Sequence, residues 1–288
     1  MQNKSGPDQG RRGLLKGLAA GAAILGASST PARAATSDNV ILWSCGGLAE
    51  GLIPAHNDYT QKTGVNVVYT GARASSLGKS LLDGAGHTDV FCGRQLALAQ
   101  KLRKAGKMEF FKPFCFSSYV IITPQGNPYN IKSLDDMAKP GIPIAMAPFA
   151  SPPGGQAVTN LLKNAGLLDQ VMANVLDKNA TCVLRTTPAV TTGKAAAMIV
   201  ERRITRFPRF QPLDVVEIPF EFQPKGPLVF TIGLMTDAKD KDASNAFLNW
   251  LISPAGQEHM DNAGFTPAIS PRGQELVEIL GVKDNEAN

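Results

Sequence analysis

Val40-Ile41-Leu42-Trp43-Ser44-Cys45-Gly46-Gly47 runs a short apolar strand into a glycine turn, and a helical pattern opens after it at Leu48. A β-branched apolar run, a Gly/Ser turn and then helical periodicity make up the strand–turn–helix unit of an α/β fold. The unit recurs outward from this stretch. Val65-Asn66-Val67-Val68-Tyr69 leads into a Gly/Ser turn at 71–76, and Asp89-Val90-Phe91-Cys92 reads as a third strand. Ser118-Tyr119-Val120-Ile121-Ile122 is a fourth, broken off by Pro124, Gly126 and Pro128. Ile142-Pro143-Ile144-Ala145-Met146 opens a second series, followed by a helix over 156–165 and strands at 195–200 and 215–218. The last strong helix covers 243–252, with Phe247, Trp250 and Leu251 on one face and Ser253-Pro254 ending it. Strands alternating with longer helical patterns predict an α/β fold with largely parallel sheets.

The 288 residues are 43% hydrophobic and 18% charged, a globular composition with length for two domains. The net charge of +5 is unevenly placed: five basic residues and one acid precede residue 35, leaving 24 basic and 23 acidic residues beyond it. With no Lys/Arg cluster interleaved with aromatics, nucleic acid is excluded as a partner. Residues 1–34 carry a basic region at Arg11-Arg12, an apolar stretch over 14–25 and a small-x-small site at Ala32-Arg33-Ala34. These are the parts of an export peptide cleaved near Ala34, and the apolar stretch falls short of the roughly 20 residues that span a bilayer. Arg11-Arg12-Gly13-Leu14-Leu15-Lys16 is similar to a twin-arginine signal, the alternative being an ordinary secretory signal with two adjacent arginines. Either way the expected location is the periplasm, and without a cysteine at the cleavage point no lipid anchor is expected.

Three strand-to-helix turns, at 44–47, 71–76 and 151–155, are rich in Gly and Ser. Ligands of open α/β sheets bind where strands end, and exposed N–H groups at a helix start attract anions. Other motifs fall away. Gly78-Lys79-Ser80 suggests a nucleotide loop, but the required earlier glycine falls on Arg73. Arg73 itself fits either a charge at a cleft rim or a surface turn. Arg202, Arg203, Arg206 and Arg209 read as a solvated basic face, and Asp89 as a residue that orients a turn. No Ser/His/Asp order, HExxH or paired-carboxylate motif is present, so neither catalysis nor a cofactor is expected.

Several segments carry a family resemblance. Thr88-Asp89-Val90-Phe91, Asn127-Pro128-Tyr129-Asn130-Ile131-Lys132-Ser133-Leu134-Asp135-Asp136, the stretch from Ile144 to Ala157 with Pro153-Gly154-Gly155, 246–257 and Gly264-Phe265-Thr266-Pro267 follow in order. They resemble the periplasmic molybdate-binding proteins and their tungstate-binding relatives, which have the type II solute-binding fold. The resemblance implies two α/β lobes, 35–120 with 225–288 and 121–224, around a hinged cleft. It implies a monomer that captures a molybdate- or tungstate-like oxyanion on hydroxyls and backbone N–H groups and presents it to a membrane ABC permease. Matching positions put Ser44, Cys45, Gly46, Gly47, Ser75, Ser76, Gly154, Gly155, Cys182, Val183 and Glu201 in the cleft. Two depart from the family pattern: Gly47 replaces a serine and Glu201 a tyrosine. A carboxylate there repels an oxyanion unless it is protonated or bound to the oxyanion's metal.

Cys45, Cys92, Cys115 and Cys182 show no CxxC pairing. Three readings stay open: two structural disulfides, free buried thiols, or a thiolate site. In the last, Cys45, Cys92 and Cys182 would hold a soft metal or metalloid such as Cu(I) or arsenite, for uptake or for sensing.

Overall fold

The computed structural model describes residues 39–284. The export signal expected at 1–34 lies outside them. Ten strands form two sheets. They are β1 (Val40–Cys45), β2 (Val67–Ala72), β3 (Val90–Arg94), β4 (Met108–Phe116), β5 (Tyr119–Pro124), β6 (Ile144–Ala145), β7 (Ala197–Glu201), β8 (Leu213–Glu217), β9 (Val229–Met235) and β10 (Thr266–Pro267). The first sheet has the order β10-β4-β9-β3-β1-β2, the second β6-β7-β5-β8. The chain therefore passes between the sheets twice, at 117–118 and over 218–228.

Helices cover both sheets. The first sheet is served by α1 (Ala49–Thr63), α2 (Ala74–Leu82) and α3 (Leu96–Lys104). The middle of the chain adds α4 (Leu134–Ala138), α5 (Gly154–Asn164), α6 (Leu168–Ala173), α7 (Val183–Thr186) and α8 (Pro188–Thr191). The end adds α9 (Lys225–Leu228), α10 (Lys241–Leu251), α11 (Pro254–Asn262) and α12 (Pro271–Leu280). Their ends follow the local sequence. Ser133 and Asp136 make a reciprocal capping box at α4, Ser253 and Ser270 cap α11 and α12 ahead of Pro254 and Pro271, and Gly64 ends α1 at φ 78°.

The six-stranded sheet buries one face against α1 and α10, with Leu42, Leu52, Tyr59, Phe247 and Leu251 in one cluster. Its other face packs Phe91 and Met108 against Leu77, Leu81 and Leu102 of α2 and α3. Asp89, 1% exposed, ties the start of β3 in place: its Oδ2 accepts from Ile41 N (2.7 Å) and its Oδ1 from Lys239 N (2.9 Å). The second sheet is likewise apolar on both faces, Ile121 and Ile199 lying on one and Val120 and Val200 on the other.

The expectation of largely parallel sheets is corrected. Only β1–β2, β1–β3 and β6–β7 are parallel; the other five pairings are antiparallel. In the second sheet β5 runs against both β7 and β8; in the first the difference arises at β4 and β9, which the sequence reading did not pick out. They lie side by side inside the first sheet, between β10 and β3, β9 with every residue buried. These are the strands by which the chain leaves the first sheet and returns to it. An apolar run shows that a strand is buried without showing which way it runs.

Candidate functional site: a cationic cleft between two sheets

Parallel pairing sets the C-terminal ends of β1, β2 and β3 at one edge of the first sheet, which brings Cys45, Ala72 and Arg94 together. In the second sheet Tyr119, at the start of β5, stands opposite Glu201, at the end of β7. These edges face each other across a cleft of about 650 Å³. The starts of α2 and α5, the loop 150–153 and α7 complete its border.

Its floor is an ion-pair cluster joining the two sheets. Arg94, 6% exposed, donates from Nη2 to Glu201 Oε1 and from Nε to the Pro227 carbonyl (2.8 Å), and its guanidinium lies 5.0 Å from the Phe230 ring. Arg203 donates from Nε to Glu201 Oε2 (2.7 Å) and from Nη1 to Glu50 Oε1 of α1 (3.1 Å). Tyr119 adds its hydroxyl to Glu201 Oε1 at 3.3 Å. Burial alone would raise the Glu201 carboxyl, but the charges and hydrogen bonds of Arg94 and Arg203 outweigh it and hold the group down to about 2. Arg94 and Arg203 are in turn held cationic by Glu201 against the pull of burial. At the rim, Arg73 Nη2 reaches across to Ser151 Oγ (3.2 Å). Four cations, Arg73, Arg94, Lys101 and Arg203, thus border the cleft against one carboxylate, Glu201.

Of the residues singled out from sequence, Cys45, Gly46, Gly47, Ser75, Gly154, Cys182, Val183 and Glu201 border this one cleft. The others do not. Ser44 is fully buried within β1, its hydroxyl 2.9 Å from that of Tyr69 and donating to Cys45 O. Ser76 lies one residue further along α2, outside the border. Gly155 packs so tightly that an added Cβ would stand 2.1 Å from the Pro148 carbonyl. Cys92 is enclosed in the first core with Cys115, and burial raises both thiols. All four cysteines are free, and among the described residues no three His, Cys, Asp or Glu side chains gather as a metal site. Cys182 is partly exposed, and the backbone N–H of Arg185, outweighing a small effect of burial, lowers its thiol.

The carboxylate of Glu201 is neither protonated nor in need of a metal; two arginines neutralise it. Sequence reasoning missed Arg94 and placed Arg203 on a solvated face. The signal was nonetheless present. A glutamate ending the apolar strand Ala197–Glu201 needs a countercharge once buried, and an arginine that ends another buried strand or sits two residues away is the nearest source.

The sequence profile of the bacterial extracellular solute-binding proteins matches residues 40–266. The chain belongs to this family. Its members bind solutes for transporters and are not enzymes. The molybdate-binding protein ModA of Mycobacterium tuberculosis is 25% identical over 264 residues, covering 88% of this chain and 94% of that one. Among solved structures, the substrate-binding domain of a molybdenum ABC transporter of Clostridium difficile superposes with a TM-score of 0.68 at 18% identity, covering 80% and 99% of the two chains. The periplasmic molybdate-binding protein of Azotobacter vinelandii gives 0.62 at 18% identity, covering 79% and 98%. The family thus has the two-lobed fold built here from two sheets. Among the described residues no helix is long and apolar enough to cross a membrane.

Proposed function

We propose that this protein works outside the cytoplasmic membrane as the monomeric capture subunit of an ABC importer, and that its ligand is a small anion with an oxyanion head. The observation that carries this reading is the pair of guanidiniums, Arg94 and Arg203, at the floor of a cleft with four cations and one carboxylate. Desolvated cations with fixed geometry attract an anion strongly, because little reorganisation accompanies its arrival. The Gly46-Gly47 turn leaves the approach to them open: a Cβ at residue 47 would stand 3.9 Å from both Arg94 Nη1 and Arg203 Nε. Molybdate and tungstate are the inorganic candidates, molybdate being the ligand named for the relatives. The export signal read at 1–34 supports a periplasmic location.

The test is a thermal-shift panel of molybdate, tungstate, sulfate, inorganic phosphate and small organic acids. A true ligand at a thousandfold excess over Kd stabilises the fold by about 4 kcal/mol. An unchanged melting temperature with every anion would refute the reading. Running the panel with and without reductant separates it from a thiophilic ligand held by Cys45 and Cys182, which would bind only to the reduced protein.

A further inference from the structure

The cleft holds more than a bare oxyanion uses. Arg94 commits Nε to Pro227 and Nη2 to Glu201; Arg203 commits Nε to Glu201 and Nη1 to Glu50. These four bonds do not use Nη1 of Arg94 or Nη2 of Arg203. Both guanidiniums reach the Gly47 turn, Arg94 Nη1 and Arg203 Nε each 3.9 Å from where a Cβ on Gly47 would stand. Three of the neutral donors expected to surround a tetrahedral anion are engaged elsewhere. Gly154 N–H donates to Ser151 O (2.9 Å), Gly155 N–H to Ala150 O (3.4 Å), and the Ser44 hydroxyl is turned away from the cleft to Tyr69.

Beyond this charged end the walls are aliphatic. Leu98 of α3 faces the cleft from the first sheet's side, and Val158, Val183, Leu184 and Ile199 from the other. Leu184 is 37% exposed on the four-residue α7, a side chain open to solvent unless something covers it. Sites of about 300–1,000 Å³ with apolar walls and a few converging polar groups are the usual form for organic ligands. A bare oxyanion offers such a wall no apolar surface to bury.

We propose that the ligand is an organic anion, a carboxylate or phosphate head carried on a carbon skeleton. The head pairs with the guanidiniums of Arg94 and Arg203, and the skeleton lies along Leu98, Val158 and Leu184. The proposal rests on the anion-capture reading and narrows it from oxyanions in general to those attached to carbon.

Isothermal titration calorimetry at constant ionic strength tests it, with molybdate, tungstate and inorganic phosphate against glycerol 3-phosphate, succinate and hexanoate. At least one of the organic anions is expected to bind tenfold or more tighter than every inorganic one. Leu184→Ala, at an exposed position that leaves the fold intact, is expected to weaken that organic anion roughly tenfold and to leave inorganic anions unchanged. Tightest binding by molybdate or tungstate overturns the proposal and leaves anion capture standing. So does an organic ligand indifferent to Leu184→Ala, since the wall then plays no part. Absence of binding by all six anions overturns both readings.

Discussion

Replacing Glu201 by Gln keeps the shape of the side chain and removes the one negative charge that Arg94 and Arg203 share. Glu201 is 8% exposed and Arg94 6%, so Arg94 cannot recover water by turning outward. Breaking a buried pair from one side costs about 3–5 kcal/mol, because a buried charge is left uncompensated. Protonation of the carboxyl gives a second route to the magnitude. Its value moves from 4.5 to about 2 on folding, and at 1.36 kcal/mol per pH unit the folded state gains about 3 kcal/mol from the ionised form. The two routes agree. Because the folded value is depressed, the stabilisation is complete above 4.5 and is lost as the pH falls towards about 2.

The expected result at pH 7 in anion-free buffer is a melting temperature lower by roughly 6–12 °C, at about 2–4 °C per kcal/mol for a chain of this size. The gap between parent and variant should close as the pH falls from 5 to 2. Removing Arg203 as well, in Glu201→Gln/Arg203→Gln, should cost less than the sum of the single changes, since both members of one pair are then gone. Glu201→Gln alone leaves Arg94 without its counter-ion at the cleft floor and Arg203 with only Glu50, so its stabilisation by a bound anion should exceed the parent's. Differential scanning calorimetry across pH, with and without anion, reads all of these. A Glu201→Gln protein as stable as the parent at pH 7 would refute the assignment of the cluster as a desolvated ion pair.

Three further outcomes follow from the packing. Phe247→Ala removes a fully buried ring 4.9 Å from Tyr59 and should lower unfolding free energy by about 3–5 kcal/mol in urea titrations. Gly155→Ala drives a Cβ to 2.1 Å from the Pro148 carbonyl, backbone that cannot yield cheaply. It should cost about 1–3 kcal/mol by the same titration and distort the cleft-facing start of α5. Iodoacetamide followed by mass spectrometry should label Cys182 first, its thiol lowered beside Arg185. Cys92 and Cys115 should label only once the protein unfolds, and early labelling of either would contradict their place in the core.

The strand–turn–helix units at 40–48, 65–76 and 142–156 were legible because each is a local event: apolar alternation, a turn of small residues and a helix start occupy one continuous stretch. The same locality explains the caps at Ser253 and Ser270, whose oxygens act within three residues. Glycine and serine turns at strand ends likewise marked where a site could lie, and Cys45, Gly47, Ser75, Gly154 and Cys182 do border one cleft.

The direction of β4 and β9 and the state of Glu201 were not legible. An antiparallel pair formed by residues 108–116 and 229–235 depends on contacts more than a hundred positions apart, and no short window holds that information. Glu201 alone read as a repulsive carboxylate. Only the fold, by bringing the ends of β3 and β7 together, sets Arg94 against it across 107 residues of sequence. The sequence by itself determined the local elements and the apolar faces that force two sheets to be covered. The tertiary structure decided the charge of the site, because Coulomb interactions in a desolvated cleft depend on proximity in space, which the order of residues does not state.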